Sequence, residues 1–202
     1  LILIGPNCND TITKKIKVWD NPKITLTNYT NIFCFGDSTG AITINTDDGT
    51  LPYTYNWTST NNFYSINKDI DSLPAGTYSV IVTDSNGCTV YDTIVLTEPT
   101  EIILSSTNTN ILCHGDSTGS IDLSVTGGVS PYTYLWSNGE TTQDINNLTE
   151  GAYTVIVTDS NGCTIYDTIV LTEPTDIIFS TTNINILCHG DSTGSIDLSV
   201  TG

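Results

Sequence analysis

The chain repeats itself at an offset of 75 residues. Residues 78–127 and 153–202 differ at six of fifty positions, and most of the exchanges are conservative. A more divergent earlier copy shares the strings Cys34-Phe-Gly-Asp-Ser-Thr-Gly40 and Pro52-Tyr-Thr-Tyr-Asn-Trp57 with the later one. A fixed period of this kind predicts an array of separately folded units rather than one globule.

The period also sets the expected domain boundaries. We expect complete repeats at 22–99 and 100–174, with 175–202 forming the start of a third copy. Residues 1–21 differ enough to be the C-terminal end of a preceding domain of another type. The segments that join the repeats, Thr97-Glu98-Pro99 and Thr172-Glu173-Pro174, should be semi-rigid, because proline restricts the residue before it and lacks a donor.

Within a repeat, apolar and polar residues alternate. The alternation is clear over residues 120–125, 132–136 and 153–157, and it is typical of half-buried strands. Turn sequences such as Asn138-Gly139 and Asn161-Gly162 separate the strands. Six or seven short strands in about 75 residues predict an all-β protein, with tandem immunoglobulin- or fibronectin-like β-sandwich domains in an elongated array. Trp136 is the expected centre of the core.

The charge balance excludes several classes of function. The chain has 5 Lys+Arg against 22 Asp+Glu, a net charge of −17, and no basic residue after Lys68. Nucleic acid and anionic membranes are therefore not expected partners, since Lys and Arg supply the affinity for polyanions. Two histidines and no arginine leave little for acid–base or anion chemistry, so we expect no enzyme. The apolar clusters are too short for insertion into a membrane.

Cysteine can stabilise a domain of this size. A bridge that closes a loop of about fifty residues contributes roughly 4 kcal/mol in the chain-entropy model, and it indicates an oxidising, extracellular setting. The expected pairs within each repeat are Cys34 with Cys88 and Cys113 with Cys163. A pattern that joins neighbouring domains, such as Cys88 with Cys113, stays open. Cys8 and Cys188 would have partners beyond the fragment.

Zinc is not the expected use of these cysteines. The spacing lacks the CxxC pattern of a structural zinc site. His114 and His189 each follow a cysteine, but Phe35 takes that place in the first copy, and a metal ligand should not exchange with phenylalanine.

Three strings of one repeat together resemble a known family. Cys113-x-Gly-Asp-x-x-Gly-Ser-Ile, Pro131-Tyr-Thr-Tyr-x-Trp-Ser-Asn-Gly139 and Thr158-Asp-x-Asn-Gly-Cys163 are similar to the SprB-type repeat of giant cell-surface adhesins of gliding Bacteroidetes. The resemblance covers residues 22–202 in register, and residues 1–21 are similar to the end of a PKD-like domain.

The resemblance implies a very long extracellular filament protein. Such a protein would leave the cell by type IX secretion, be anchored at the outer membrane through other parts of its chain, and serve adhesion and gliding motility. Its implied partners are the neighbouring repeats, the outer-membrane anchoring and motility machinery, and surface polysaccharide.

Asp-Ser and Asp-Thr pairs resemble the O-glycosylation motif of secreted Bacteroidetes proteins. Sugars on exposed positions would suit a surface fibre. Turn formation explains some of these pairs equally well. The candidate acceptors are Thr11, Ser38, Ser72, Thr93, Ser117, Thr168 and Ser192.

Calcium is the one cofactor that the acidic loops could bind. The candidate ligands are Asp84 and Asp159 in Thr-Asp-Ser-Asn-Gly, and Asp37 and Asp116 in Gly-Asp-Ser-Thr-Gly. No loop has the full alternating series of acidic residues, so Asx-turns are favoured and no cofactor is expected.

Near-identical copies favour a stalk over a direct binder, because a spacer needs only length and stability. Near-identity would also make a weak contact multivalent. Two other functions stay open: non-catalytic accessory repeats of a secreted polysaccharide-degrading enzyme, and a structural matrix or sheath protein.

Overall fold

Every regular element in the described part of the chain is a β-strand. The computed structural model describes residues 2–5, 8–11 and 15–202, with side chains for residues 15–25 and 28–202. It divides into two compact units, Leu1–Glu98 and Pro99–Gly202. A search of the described residues found no helix with the length and apolar character that crossing a membrane requires.

The first unit contains a short hairpin and a sandwich of two antiparallel sheets. One sheet of the sandwich has the order β3-β4-β7 and the other the order β6-β5-β8-β9, with the ranges given below. The strands are β1 (Ile2–Gly5), β2 (Cys8–Thr11), β3 (Lys23–Thr30), β4 (Gly40–Asp47), β5 (Thr54–Ser59), β6 (Tyr64–Ser65), β7 (Ile70–Leu73), β8 (Gly76–Thr83) and β9 (Thr89–Leu96).

The second unit repeats this arrangement without the short β6. Its sandwich has sheets of order β10-β11-β13 and β12-β14-β15, and a separate two-stranded sheet begins the third copy. The strands are β10 (Ile103–Thr109), β11 (Gly119–Thr126), β12 (Thr133–Trp136), β13 (Ile145–Leu148), β14 (Gly151–Thr158), β15 (Thr164–Leu171), β16 (Ile178–Ile184) and β17 (Ser195–Thr201). The expected all-β, immunoglobulin-like sandwich is confirmed.

Apolar and polar residues that alternate along a strand lie on opposite faces of the sheet, one buried and one exposed. Along β11, Ile121 and Leu123 are buried, while Asp122 between them is exposed. Trp136 is 2% exposed, and its indole Nε1 donates to the Thr142 carbonyl oxygen at 2.9 Å. The ring can therefore fill the core without leaving its donor unpaired.

In both sandwiches, a tyrosine near the start of β8 or β14 bonds to the backbone just before that strand. The Tyr153 hydroxyl donates to the Thr149 carbonyl oxygen at 3.1 Å, and the Tyr78 hydroxyl donates to the Pro74 carbonyl oxygen at 2.9 Å. Burial raises the pKa of the Tyr78 phenol, so the hydroxyl stays a donor. Such a bond to backbone a few residues upstream is characteristic of immunoglobulin-type sandwiches.

The core of each complete repeat is formed by packing sheet on sheet. Ile121 and Leu123 on β11 belong to one buried cluster with Trp136 on β12 and Val155 on β14, which lie in the other sheet. A single sheet cannot bury its own apolar face, so the burial depends on both sheets. The β16–β17 hairpin has the register of β10–β11.

Replacing Trp136 with Ala should destabilise the second sandwich by about 3–5 kcal/mol, because it removes the largest buried side chain of that core. Chemical denaturation followed by far-UV circular dichroism measures the effect. Tyr166→Ala, at a side chain 77% exposed on the edge strand, is the control and should cost less than about 1 kcal/mol. Equal losses in the two variants would contradict this account of the core.

Candidate functional site

The string Thr-Asp-Ser-Asn-Gly-Cys occurs in both complete copies and forms the turn between the last two strands of each sandwich. In the first copy, the Asp84 carboxylate holds this turn. Its Oδ1 accepts hydrogen bonds from the backbone N–H groups of Asn86 and Cys88, each at 2.9 Å. Its Oδ2 accepts from the Thr50 N–H at 3.0 Å and so ties the turn to a second loop. The side chain is 4% exposed, so the carboxylate is a structural link inside the fold.

The second copy has the same carboxylate-centred turn. Asp159 is 5% exposed, and its Oδ1 accepts from the N–H groups of Asn161 and Cys163 at 2.9 Å each. Its Oδ2 accepts from the Val129 N–H at 3.0 Å. Gly128, at φ +60°, passes so close that an added Cβ would lie 3.0 Å from this Oδ2. Glycine is therefore required where the second loop approaches the carboxylate.

The carboxyl group of Asp84 has a lowered pKa. Burial alone would raise it, but the backbone N–H groups of Cys88, Thr50, Asn86 and Gly87 favour the ionised form more strongly. The net direction is downward from the ordinary value, so the group is a carboxylate at neutral pH.

The Cys-x-Gly-Asp-Ser-Thr-Gly loop lies at the other end of the sandwich. The N–H of Ile111, at its start, donates to the Thr172 carbonyl oxygen at 3.0 Å, just after β15 ends. The Leu112 N–H donates to Thr118 Oγ1 at 3.0 Å, and the Asp116 N–H donates to the Cys113 carbonyl oxygen at 3.1 Å. The loop thus has its own internal bonds and one anchor on the strand that leads to the linker.

The glutamate of the linker binds this loop. In the second copy, Glu173 Oε2 accepts from the Gly115 N–H at 2.8 Å, and Oε1 lies 2.5 Å from His114 Nδ1. In the first copy, Glu98 Oε2 accepts from the Gly36 N–H at 2.7 Å. The backbone bond is common to both copies, whereas the histidine contact is made only where histidine stands in place of Phe35. Sequence analysis assigned no role to these glutamates, because their only signal was the recurrence of Thr-Glu-Pro.

The turn and the loop are separated by the full length of a strand. β15 has eight residues, which at about 3.3 Å per residue makes it roughly 26 Å long. Cys163 comes just before it, and Cys113 lies in the loop anchored at Thr172, just after it. β9 separates Cys88 from Cys34 in the same way, because Ile32 N–H donates to the Thr97 carbonyl oxygen.

The expected disulfide pairing within each repeat is therefore wrong. Cys34 and Cys163 are disulfide-bonded, whereas Cys88 and Cys113 have free thiols. The physical reason is that a disulfide needs Cα atoms within about 7 Å, and the two cysteines of a repeat lie at opposite ends of a strand several times longer. The alternative of Cys88 with Cys113 fails too, since both are free. Cys188 is also free, and the side chain of Cys8 lies outside the described residues.

The calcium candidates do not come together within a repeat. Asp84 and Asp159 are at the turn end and use their oxygens for backbone N–H groups, while Asp37 and Asp116 are exposed in the loop at the other end. Among the residues that the structure describes, no group of three His, Cys, Asp or Glu side chains is arranged to hold a metal ion. The Asx-turn interpretation accounts for Asp84 and Asp159.

The glycosylation candidates with described side chains are all exposed. Thr93 and Thr168 lie on outer sheet faces, and Thr168 Oγ1 is 2.9 Å from Thr154 Oγ1. The Ser72 hydroxyl donates to Asp71 Oδ1 at 3.0 Å. Ser38, Ser117 and Ser192 lie in the three Gly-Asp-Ser-Thr-Gly loops, and the Thr11 side chain is outside the described residues.

A row of exposed apolar side chains crosses the outer face of one sheet, and sequence reasoning missed it. In the second copy Leu135 pairs with Ile156, which pairs with Tyr166. Their exposed fractions are 53%, 44% and 77%. In the first copy Ile81 pairs with Tyr91, and both are exposed. The row was hidden because alternation alone does not tell which apolar residues face water.

The strand order and the two loop ends define the class: tandem β-sandwich repeats of immunoglobulin type. The SprB repeat model matches the chain at residues 26–62 and 105–141, so the resemblance seen in the sequence is confirmed at both places. Each matched stretch contains the Cys-x-Gly-Asp-Ser-Thr-Gly loop and the core tryptophan. The match and the disulfide together indicate a cell-surface repeat in an extracellular environment.

The chain also aligns with solved structures of immunoglobulin domains. The N-terminal eight Ig domains of Down Syndrome Cell Adhesion Molecule (DSCAM) isoform 1.30.30 align at 15% identity and a TM-score of 0.46, over 80% of this chain and 26% of that one. DIP-gamma IG1+IG2 aligns at 10% identity and a TM-score of 0.43, over 78% of this chain and 99% of that one. The chain thus spans about a quarter of the length of the first. No curated protein matches the sequence.

Replacing Asp159 with Asn should destabilise the second sandwich by about 1–3 kcal/mol, because an amide nitrogen would face backbone N–H groups that now donate to a carboxylate. Urea denaturation measures the loss. Asp122→Asn, which makes the same change at an exposed position on β11, is the control and should leave the midpoint nearly unchanged. An unchanged midpoint for the Asp159 variant would refute the structural role.

Low pH should remove the contribution of the Asp84 carboxylate to the free energy of unfolding. Because the folded-state pKa lies below the ordinary 3.8, the contribution is complete above that pH and is lost as the pH falls through the lowered folded value. The unfolding free energy of the wild type and of Asp84→Asn should therefore converge as the pH falls from about 6 to about 3. A constant difference across that range would rule out the linkage.

Proposed function

We propose that the chain is a segment of an extracellular surface filament whose repeats form a stiff stalk for adhesion and gliding motility. The filament protein would be exported by type IX secretion and anchored at the outer membrane through other parts of its chain. The match to the SprB repeat supports this proposal, as do the disulfide and the strongly acidic surface. The role is mechanical and needs neither a catalytic centre nor a cofactor.

The observation that carries the proposal is the bond between each linker glutamate and the loop of its own repeat. Glu98 and Glu173 each precede a proline, and each accepts a backbone N–H from the Cys-x-Gly-Asp loop of the same sandwich. The bond fixes the direction in which the chain leaves the sandwich, and proline limits the next rotation. A linker held in this way transmits load and direction, which is what a stalk requires.

The chemistry of the two ends also fits a stalk. The buried carboxylates of Asp84 and Asp159 are used by backbone N–H groups, and the His114 imidazole is in contact with Glu173. We infer that the chain is not an enzyme, because these polar groups hold the fold in place. The exposed Ser and Thr candidates would carry the sugars of a surface fibre.

Direct binding is the second candidate function, and the exposed apolar row favours it. Leu135, Ile156 and Tyr166 present a flat surface beside the hydroxyls of Thr154 and Thr168. Aromatic rings and hydroxyls together suit an uncharged surface polysaccharide, and recurrence in each copy would add avidity. Accessory repeats of a polysaccharide-degrading enzyme would use the same surface, and a matrix or sheath protein would use it for lateral packing.

A replacement experiment separates stalk from binder. In the source cell, residues 22–174 are replaced, in frame, by two unrelated β-sandwich domains of similar length. A stalk needs only length, so cells that carry the replacement should still attach and glide. Simple deletion of the same residues is the matched control and should reduce both.

Three outcomes are informative. Retained function in the replacement strain supports the stalk. Loss in the replacement strain, together with loss in a full-length Tyr91→Ala/Tyr166→Ala variant, supports direct binding instead. Absence of the repeats from the surface of intact cells, probed with an antibody to the chain, would overturn the filament proposal.

A further inference from the structure

One tryptophan of the chain lies outside the repeat pattern. Trp57 and Trp136 hold the same position in the two sandwiches and are 0% and 2% exposed, whereas Trp19 is 44% exposed. Trp19 belongs to the segment that leads into β3 and has no counterpart in the later copies. Its ring is therefore a surface feature of the first unit and not part of a sandwich core.

Trp19 lines an open cleft of about 570 Å³ in the first unit. One wall of the cleft is formed by residues 17–20, and the other by the loop of residues 48–53 between β4 and β5. Val18 and Leu51, one on each wall, are 85% and 72% exposed. The volume falls in the range of small-ligand sites, roughly 300–1,000 Å³, and exposed apolar side chains gathered in a cleft are typical of such sites.

The loop wall is held in place by bonds of the first sandwich. The Thr50 N–H donates to Asp84 Oδ2 at 3.0 Å, and Thr50 Oγ1 accepts from Asn86 Nδ2 at 2.8 Å. The Tyr53 hydroxyl donates to the Asp48 carbonyl oxygen, which closes the loop on itself. The wall is therefore fixed before a ligand arrives, and this lowers the entropic cost of binding.

The segment wall is anchored against the same loop. Pro22 is buried, and a Cβ added to Gly49, at φ +66°, would lie 3.0 Å from the Pro22 nitrogen. The two walls thus meet at a close backbone contact. Lys17 Nζ lies 3.3 Å from the centroid of the Trp19 ring, and this cation–π contact orients the indole. The ring is still 44% exposed with the contact in place.

Polar groups of both signs surround the apolar surface. Among the described residues that line the cleft, Lys17 is the cation, and Asp20 and Asp48 are the anions. Carboxylates accept hydrogen bonds from hydroxyls, and an ammonium group donates them. One cation beside two anions does not attract a polyanion, and a charged lining does not suit a lipid chain. The lining fits an uncharged ligand with hydroxyls at its edge and C–H groups on its faces, which is the chemistry of a sugar ring.

We propose that this cleft is a binding site for uncharged polysaccharide. The Trp19 indole and Leu51 pack against the C–H face of a sugar ring, and Asp20 and Asp48 accept hydrogen bonds from its hydroxyls. The site goes beyond the stalk function, because the linker contacts that support the stalk do not involve these residues. It also uses no residue of the exposed apolar row.

The second copy shows that the sandwich does not need these side chains. Gly127 and Ser130 stand where Asp48 and Leu51 stand in the first copy, and the fold of the loop is the same. In both copies the loop donates a backbone N–H to the buried aspartate of the turn. The chain itself thus supplies substitutions that change the cleft and keep the fold.

Isothermal titration calorimetry of the whole chain tests the proposal. The uncharged probes are cellohexaose, xylohexaose and laminarihexaose, and the charged probes are the hexamers of galacturonic acid and of glucosamine. At least one uncharged probe should bind, and binding should shift the tryptophan emission, because Trp19 is exposed while Trp57 and Trp136 are buried. No binding of any uncharged probe up to about 10 mM, or binding of charged probes alone, would overturn the proposal.

Variants locate the bound sugar. Trp19→Ala should weaken binding by at least about tenfold, and Asp48→Gly/Leu51→Ser, which copies the second repeat, should weaken it as well. Tyr91→Ala removes an exposed ring from the outer sheet face of the same sandwich and is the matched control, with unchanged affinity expected. Loss of binding in the Tyr91 variant but not in the Trp19 variant would place the sugar on the exposed apolar row and refute the cleft. Far-UV circular dichroism checks the fold of each variant.

Discussion

The length of the last two strands of each sandwich is the constraint on which the rest depends. β8 pairs with β9, and β14 with β15, residue by residue over eight positions. This pairing puts the connecting turn at one end and the exit to the linker at the other. The polar features that we connect with a stalk lie at those ends: the buried aspartate and one cysteine at the turn, the linker glutamate and the other cysteine at the loop. The strands contribute the core residues and separate the turn end of the sandwich from the loop end.

The strand pattern could be predicted because apolar and polar residues alternate along a half-buried strand. The alternation over residues 120–125 puts Ile121 and Leu123 on one face, and the structure buries that face; Trp136, the expected centre of the core, is buried as well. The pairing of the cysteines could not be predicted, because separation along the chain does not tell at which end of a sheet a residue lies. Glu173 gave no signal beyond its recurrence, since an exposed-looking acid before a proline is common. The Asp159 turn was foreseen, but its third bond, to Val129, depends on how two loops meet in space.

Scarcity of cations explains how this chain satisfies its carboxylates. Five Lys+Arg cannot pair with 22 Asp+Glu, and none of the five follows Lys68. Backbone N–H groups take their place: Asp69 accepts from Ile44, Asp144 from Leu123, and Glu173 from Gly115. Such bonds stabilise the ionised form, as the lowered pKa of the Asp84 carboxyl shows. They also tie loops to strands, so the acidic composition contributes to the fold as well as to solubility.

Near-identical neighbours carry a risk that these local bonds reduce. Adjacent copies with the same core can exchange strands during folding, which is a characteristic failure of repeat proteins. The β9 strand ends at residues that bind the loop of their own repeat, through Thr97 to Ile32 and Glu98 to Gly36. Each such bond joins two segments of one sandwich that are about 65 residues apart in the sequence. If β9 paired with a neighbouring sandwich instead, the bond would have to break, or the linker would have to move with the strand.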